Sequence, residues 1–556
     1  PPEEHKDVRA WHMSDQKVDI SSLELNQVLP TRTKYIPPDL QIVPLEEYRP
    51  QMTENRLNVI GKAGVYLDRS PTGAGKTYNH IEVCRQVDNA LPIVPSHDLA
   101  TELECDLITA GIPAVSYPHL NEETCQNLEA AKKALSLGLN AGETVCVKCP
   151  HKQGCKYQSE MKRAGNAAYR IPTHQRAGLS MRKLSEGAEY IAIEEDARNL
   201  VRPQKTFTLG KLKPVKLWLQ DAKYWASEDN DPERHAFISH LLEWLEHIEQ
   251  VGRAAEETLF DYHKPSGYPH PDNWQRKLAY AHKRMEEELP EVASNVDGKV
   301  LRSIVDYAGG TWDQLAIQVD RIKGKDGEEK VSKHIVLTRS AKLPADVPVV
   351  FSDATMTPEY LHALTGLEIQ DITPEGDLES QHGVYQYPED VTMRTKPERV
   401  AGHIIAHLER HPECKRLGVI CFKSQKDAIF GKSATAHLPK DIRKRVFKYT
   451  HWWRQDERAS NEWLGCDALL ILGTPRLNPA TLRTELIRLG DNEAATQDGG
   501  WEEYEWESRN GVIVRSKRHA HPVWDMVYKH QTHAHIKQAI GRGRVILENG
   551  IPVYLI

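Results

Sequence analysis

The chain has 556 residues, enough for roughly three or four domains. Its formal net charge of -7 excludes a uniformly basic nucleic-acid coat but leaves room for a local basic track. A mean hydropathy of -0.58 and the lack of any run of about 18 apolar residues exclude a membrane-spanning helix.

In chain order, residues 1–45 are polar and punctuated by proline and read as an N-terminal extension. The opening Pro-Pro-Glu-Glu-His-Lys has no secretory leader pattern. It lacks an initiator Met, so the true N-terminus is expected to lie further upstream. The expected location is the cytoplasm, in association with nucleic acid and without a membrane partner.

Leu57 to Leu67 leads into a buried strand, followed by Ser70-Pro-Thr-Gly-Ala-Gly-Lys-Thr77 and a helix over Tyr78–Val87. Such a loop turns backbone N–H groups toward phosphates, with the helix dipole adding to the attraction. Thr72, Gly73, Ala74, Gly75, Lys76 and Thr77 are therefore candidate nucleotide contacts. Gly73 and Gly75 allow close approach, Lys76 reaches the β- and γ-phosphates, and the Thr77 hydroxyl ligates Mg²⁺. The implied cofactors are ATP and Mg²⁺. Ser70 stands where the usual pattern has Gly or Ala.

Leu91–Pro95 reads as a second strand, ending at Ser96-His97 and running into an amphipathic helix around Leu99–Leu107. Cys125, Cys146, Cys149 and Cys155 follow with spacing C-x20-C-x2-C-x5-C. Four thiolates can hold a [4Fe–4S] cluster or a Zn²⁺ ion, and spacing alone does not choose between them. Lys148, Lys152, Lys156, Lys162 and Arg163 surround them and offer phosphate contacts or a solvated basic face. Cys84, Cys105, Cys414, Cys421 and Cys466 are scattered, as ordinary thiols are.

Tyr190–Ile193 reads as a strand ending in Glu194-Glu195-Asp196-Ala197-Arg198. Mg²⁺ needs an acid at a neighbouring strand tip, and hydrolysis needs a carboxylate to orient water. Glu194 as metal ligand with Glu195 as water-orienting base is the favoured register. Glu195 with Asp196 is the alternative.

From about 205 to 345 apolar residues recur at helical spacing, as at Ile238, Leu241, Leu242, Leu245, Ile248 and Val251, which predicts a mainly helical insertion. Strand character resumes at Val347–Phe351 and runs into Ser352-Asp-Ala-Thr-Met356. A second α/β unit follows, with a helix at Val400–Leu408 and strands at Leu417–Phe422, Ala468–Leu472 and Ile551–Ile556. Within it, Lys440–Arg454 interleaves bases with Phe447, Tyr449, Trp452 and Trp453. Trp452 and Trp453 suit base stacking on a single strand, although the same pattern fits aromatics facing a core. Gln538-Ala-Ile-Gly-Arg542 completes the set: Arg542 can stabilise charge on the γ-phosphate, with Gln538 and Arg544 on the same segment.

The order of Ser70–Thr77, Ser96-His97, Glu194-Glu195, Ser352–Thr355 and Gln538–Arg542 resembles the motifs of superfamily 2 helicases. With the four cysteines and the insertion before Ser352, the layout is similar to the XPD/DinG group of iron–sulfur helicases over about residues 46–556. The resemblance implies an α/β fold of two RecA-like motor domains, with a metal-cluster insertion and a helical arch-like insertion in the first. On that reading, motor domain 1 spans 46–204 and 346–378, with the cluster insertion at 108–166. The arch spans 205–345, and motor domain 2 spans 379–556. The resemblance also favours the [4Fe–4S] cluster over zinc and makes Ser96 and His97 DNA contacts. It implies 5′→3′ movement on single-stranded DNA, with forked duplex as the substrate. The departures are the Glu-Glu-Asp-Ala-Arg run, the two-residue spacing of Arg542 and Arg544, and Leu472–Asn478 in place of the usual fifth motif. Other classes stay open: a translocase or remodeller without processive unwinding, and an ATP-switch loading subunit.

Overall fold

The computed structural model describes residues 41–136, 138–262, 275, 277–279, 281, 283, 297–308, 310–323, 328–387, 389, 391–431, 437–452, 463, 465–507 and 513–556. Residues 42–504 with 516–556 form one compact unit, and 1–41 with 505–515 form another. Of the smaller unit, residues 41, 505–507 and 513–515 are described, the last two segments as strand. Most of the expected extension thus lies outside the described residues. From Leu45 the chain is helical, through Leu57. No helix among the described residues is long and apolar enough to cross a membrane.

The parallel α/β character expected from the sequence is present twice. A seven-stranded parallel sheet has the order Ile369–Asp371, Gly64–Asp68, Pro348–Ser352, Tyr190–Glu194, Ala90–Ile93, Tyr169–Ile171, Ala114–Ser116. Its central strands are buried along nearly their whole length, as in Pro348–Ser352. Continuous apolar runs such as Tyr-Ile-Ala-Ile are what a sheet covered on both faces requires. A five-stranded parallel sheet has the order Val384–Gln386, Val553–Leu555, Ala468–Ile471, Leu417–Cys421, Val446–His451.

In the chain between these sheets, the described residues of the insertion are mostly helical, as expected, and they also form a sheet. Helices Leu212–Glu228, Pro232–Ala254 and Gly298–Ala308 pack on a four-stranded antiparallel sheet of Gln204–Thr208, Glu329–Thr338, Gln314–Lys323 and Leu259–Tyr262. Trp218, Trp244, Leu241 and Leu245 share its core with Leu315, Ile317, Ile335 and Leu337. The strands were hard to read because their alternation fades where both faces become covered: Glu329–Thr338 goes from exposed at one end to buried at the other.

The chain leaves the five-stranded sheet after Ile471 and returns at Val553. In between, helices Pro479–Leu489, Asn492–Thr496 and Pro522–Gly541 lie against the seven-stranded sheet. Leu482, Leu486, Ile487, Trp524 and Val527 enter one core with Ile191, Ile193, Val349 and Phe351. At its other end the Pro522–Gly541 helix adds Ala539 to the core of the five-stranded sheet, beside Ile420, Leu469 and Val553.

Behind the loop at 70–77, Arg56 is fully buried and donates from Nε and Nη2 to Asp68 Oδ2 at 2.8 and 2.7 Å, and from Nη2 to Ser352 Oγ at 2.8 Å. Burial would raise the Asp68 carboxyl, but Arg56 and Ser70 hold it below its ordinary value. This pair ties the Leu45–Leu57 helix to the ends of two adjacent strands. Removing one partner of a buried ion pair strands the other charge, at a cost of about 3–5 kcal/mol. Arg56→Met is therefore expected to lower the urea midpoint of unfolding markedly, as followed by circular dichroism.

Candidate nucleotide cleft

The loop at 70–77 begins where the Gly64–Asp68 strand ends, and its helix runs Lys76–Cys84. Gly75 is the residue before that helix, with φ +110°, a conformation that a side chain would strain. Ser70 is buried, its N–H donating to Asp68 Oδ1 at 2.9 Å and its hydroxyl bonded to Tyr48 at 3.2 Å. The departure at this position is thus accommodated by a partner. Lys76 Nζ donates to the Ser70 carbonyl at 3.2 Å, and Arg49 Nε donates to the Ala74 carbonyl at 2.9 Å.

A cleft of about 350 Å³ joins this loop to both other motif groups. Thr72, Gly73, Gly75, Lys76 and Thr77 form one wall, while Ala74 points inward and is buried. Glu194 and Glu195 lie at its floor, and Gln538, Arg542 and Arg544 face them from the end of the Pro522–Gly541 helix. The two walls touch: a methyl group on Gly541 would sit 3.2 Å from the Thr72 side chain.

Glu194 accepts from His80 Nε2 at 2.7 Å. Burial would raise its carboxyl, but His80, Arg56 and Lys76 outweigh that and hold it at about 2. Burial pushes the Glu195 carboxyl up, opposed by Lys76 and Arg542 and reinforced by Asp353 and Glu194. Glu195 also has φ +58°, a left-handed backbone in a residue other than glycine. Such strain concentrates at functional sites. Asp196 does not line the cleft; it pairs with Arg198 through bonds of 2.7 and 2.5 Å, and Arg198 lies 3.7 Å from Glu485. Of the two registers, the geometry brings Glu194 and Glu195 to the cleft.

His80 and Arg49 were not singled out from the sequence, and Asp353 was named there only within the Ser352–Thr355 motif, without a role of its own. His80 lies four residues after Lys76 and so shares its helix face, a signal available in the spacing. Arg49 had none, since its helix lies where the sequence reads as extension and lead-in. A second cleft, of about 810 Å³, opens between that helix and Lys76–Cys84 and is lined by Arg49, Thr53, Gly75 and Tyr78.

Ser96 and His97 stand one strand over. Ser96 caps the His97–Thr109 helix by accepting from the Leu99 N–H, and His97 stacks on His119 with centroids 4.6 Å apart. Trp452 is not at the surface: it is 1% exposed, and its Nε1 donates to the Leu472 carbonyl at 3.1 Å. Past the edge strand whose outer positions are taken by Phe447 and Tyr449, the next buried position falls to this ring. Trp453 lies outside the described residues. Phe447 and Tyr449 are exposed, with Arg416 over the Phe447 ring at 3.8 Å and Phe430 stacked on Tyr449 at 4.2 Å.

Cys125, Cys146, Cys149 and Cys155 are all half-buried and form no disulfide. Burial raises the Cys146 thiol, and Cys125, Cys149 and Cys155 act on it as well, so the four share one neighbourhood. As a donor set they fit a four-thiolate group. Among the described residues, however, no three His, Cys, Asp or Glu side chains stand in metal-holding geometry. Lys148, Lys152, Lys156, Lys162 and Arg163 around them are exposed.

No protein-family model and no curated protein sequence matches the chain. Among solved structures it is similar to XPD helicases. An apo XPD aligns over 92% of this chain and 94% of its own at 14% identity and TM-score 0.47. Xpd4 of S. tokodaii aligns over 92% and 95% at 12% identity and TM-score 0.48. The Escherichia coli DEAH/RHA helicase HrpB aligns over 92% of this chain and 42% of its own at 9% identity and TM-score 0.33.

A carboxyl held at about 2 against an ordinary 4.5 contributes stability that is fully present above its unfolded value and lost as pH falls through the folded one. Glu194→Gln is therefore expected to flatten the loss of stability between about pH 4.5 and 2. Thermal melts of parent and variant across that window check it.

Proposed function

We propose that the chain is an ATP-dependent DNA helicase, moving 5′→3′ on single-stranded DNA and opening forked duplex. The observation that carries this is the single cleft where Lys76, the Glu194–Glu195 pair and Arg542 meet, the last coming from a helix that bridges to the second sheet. Loop N–H groups and Lys76 hold the phosphates, and Glu195 orients water. Arg542 stabilises charge on the γ-phosphate. Thr77 and Glu194 would hold Mg²⁺, which would supply neutralisation of the phosphate charge. The cleft between Arg49 and Tyr78 has the place and size for the nucleobase. Exposed Phe447 and Tyr449, with Arg416 and Lys448 beside them, supply stacking and phosphate contacts for a single strand.

The test is ATP hydrolysis with and without single-stranded DNA, paired with unwinding of 5′- and 3′-tailed duplexes. DNA-stimulated hydrolysis and opening of the 5′-tailed duplex are expected. Arg542→Ala should lower kcat by about 10³-fold or more with nucleotide still bound, and Lys76→Ala should lose hydrolysis. Stimulated hydrolysis without unwinding would indicate a translocase, and hydrolysis insensitive to Lys76→Ala would sink the motor reading.

The four cysteines are proposed to hold a [4Fe–4S] cluster, supported by their shared neighbourhood and all-thiol chemistry. A bound cluster would supply rigidity to the segment around it, away from the hydrolytic cleft. Anaerobic purification is expected to yield a brown protein absorbing near about 400 nm, with four irons per chain on the cluster's stoichiometry. A colourless protein with one zinc per chain would overturn the cluster.

A further inference from the structure

Asp353 follows the central strand of the seven-stranded sheet, where Ser352 is in register with Asp68 on one side and Glu194 on the other. The Asp353 N–H donates to the Asp68 carbonyl at 3.1 Å, and the Ser352 carbonyl accepts from the Glu195 N–H at 3.0 Å. The residue therefore stands between the phosphate loop and the acid pair, and it lines the same cleft.

Its two carboxylate oxygens differ. Oδ1 accepts from both the N–H and the hydroxyl of Thr355, at 2.7 Å each. That is a local turn, and it accounts for one oxygen only. Oδ2 is buried and accepts no hydrogen bond among the described residues, on a side chain only 3% exposed. A buried acceptor left unmatched is costly, and a turn needs no second oxygen. Lys537, on the facing helix, is close enough to interact with Asp353 electrostatically, and so is Glu195.

Resting on the hydrolytic reading above, we infer that Asp353 Oδ2 is a second acceptor for the attacking water, beside Glu195. A water has two protons. Giving one to each carboxylate as hydrogen bonds turns an oxygen lone pair toward the γ-phosphorus. In the step, the water oxygen forms the new P–O bond and the bridging bond to the β-phosphate breaks, its electron pair leaving with ADP. One water proton passes to Glu195 and from there to the released phosphate; the other stays on the phosphate.

Asp353→Asn separates this role from the turn, because the amide oxygen can still accept from Thr355 while Oδ2 becomes a donor. The experiment compares parent, Asp353→Asn, Glu195→Gln and the double variant by steady-state ATP hydrolysis and by binding of a fluorescent ADP analogue. In Asp353→Asn, kcat is expected to fall by about tenfold or more, with KM for ATP and analogue affinity within about twofold. The double variant is expected to be little worse than Glu195→Gln, since both residues serve one water. An unchanged kcat in Asp353→Asn overturns the inference alone. So does a fall matched by lost analogue binding and a lower melting temperature, which would make Asp353 a turn residue only. Absence of hydrolysis by the parent overturns the underlying reading as well.

Discussion

The Pro522–Gly541 helix is seated at one end by Trp524 and Val527 in the core of the seven-stranded sheet and at the other by Ala539 in the core of the five-stranded sheet. Everything about the cleft depends on that double seating, because Gln538, Gly541 and Arg542 are carried by the same helix and the turn that ends it. Leu482, Leu486, Trp524 and Val527 contribute about 1.5–3 kcal/mol each by burial.

A polar thread runs through the same seam. The Tyr360 hydroxyl donates to Glu485 at 2.8 Å, the Tyr360 ring stacks on His530 at 3.6 Å, and Glu485 faces Arg198, which holds Asp196. The third acid of the Glu194–Asp196 run is thus turned into the interface, and the first two are left to the cleft. One short acidic segment serves both structure and site because the strand ends at Glu194 and the left-handed backbone of Glu195, φ +58°, breaks its alternation before Asp196.

Much of this was legible in the sequence. Short apolar strands, the loop at 70–77 and the arginine segment each have a local signature, and local signatures do not depend on what packs against them. The insertion's sheet was not legible, because strands covered on one side at one end and on both at the other have no steady period. The Pro522–Gly541 helix was not either. Its buried residues include Trp524, His530, Gln531, Ala534 and His535, spread around the helix, so there is no single apolar stripe to recognise. The sequence around Trp452 fits either base stacking or a core, and the ring is a core residue at the first position past an edge strand. His80 and Asp353 matter only once the sheet order sets Glu194 beside them.

The Lys76 ammonium rests on the Ser70 carbonyl. The loop therefore carries its own stand-in for a phosphate oxygen, and an incoming triphosphate must displace it rather than dock onto an idle charge. This intramolecular partner is always present and cannot diffuse away, so it competes with any anion at Lys76. A ligand with several phosphates displaces it because the backbone N–H groups reward such a ligand at more than one point. The loop's own carbonyl is thus part of what a polyphosphate meets at Lys76.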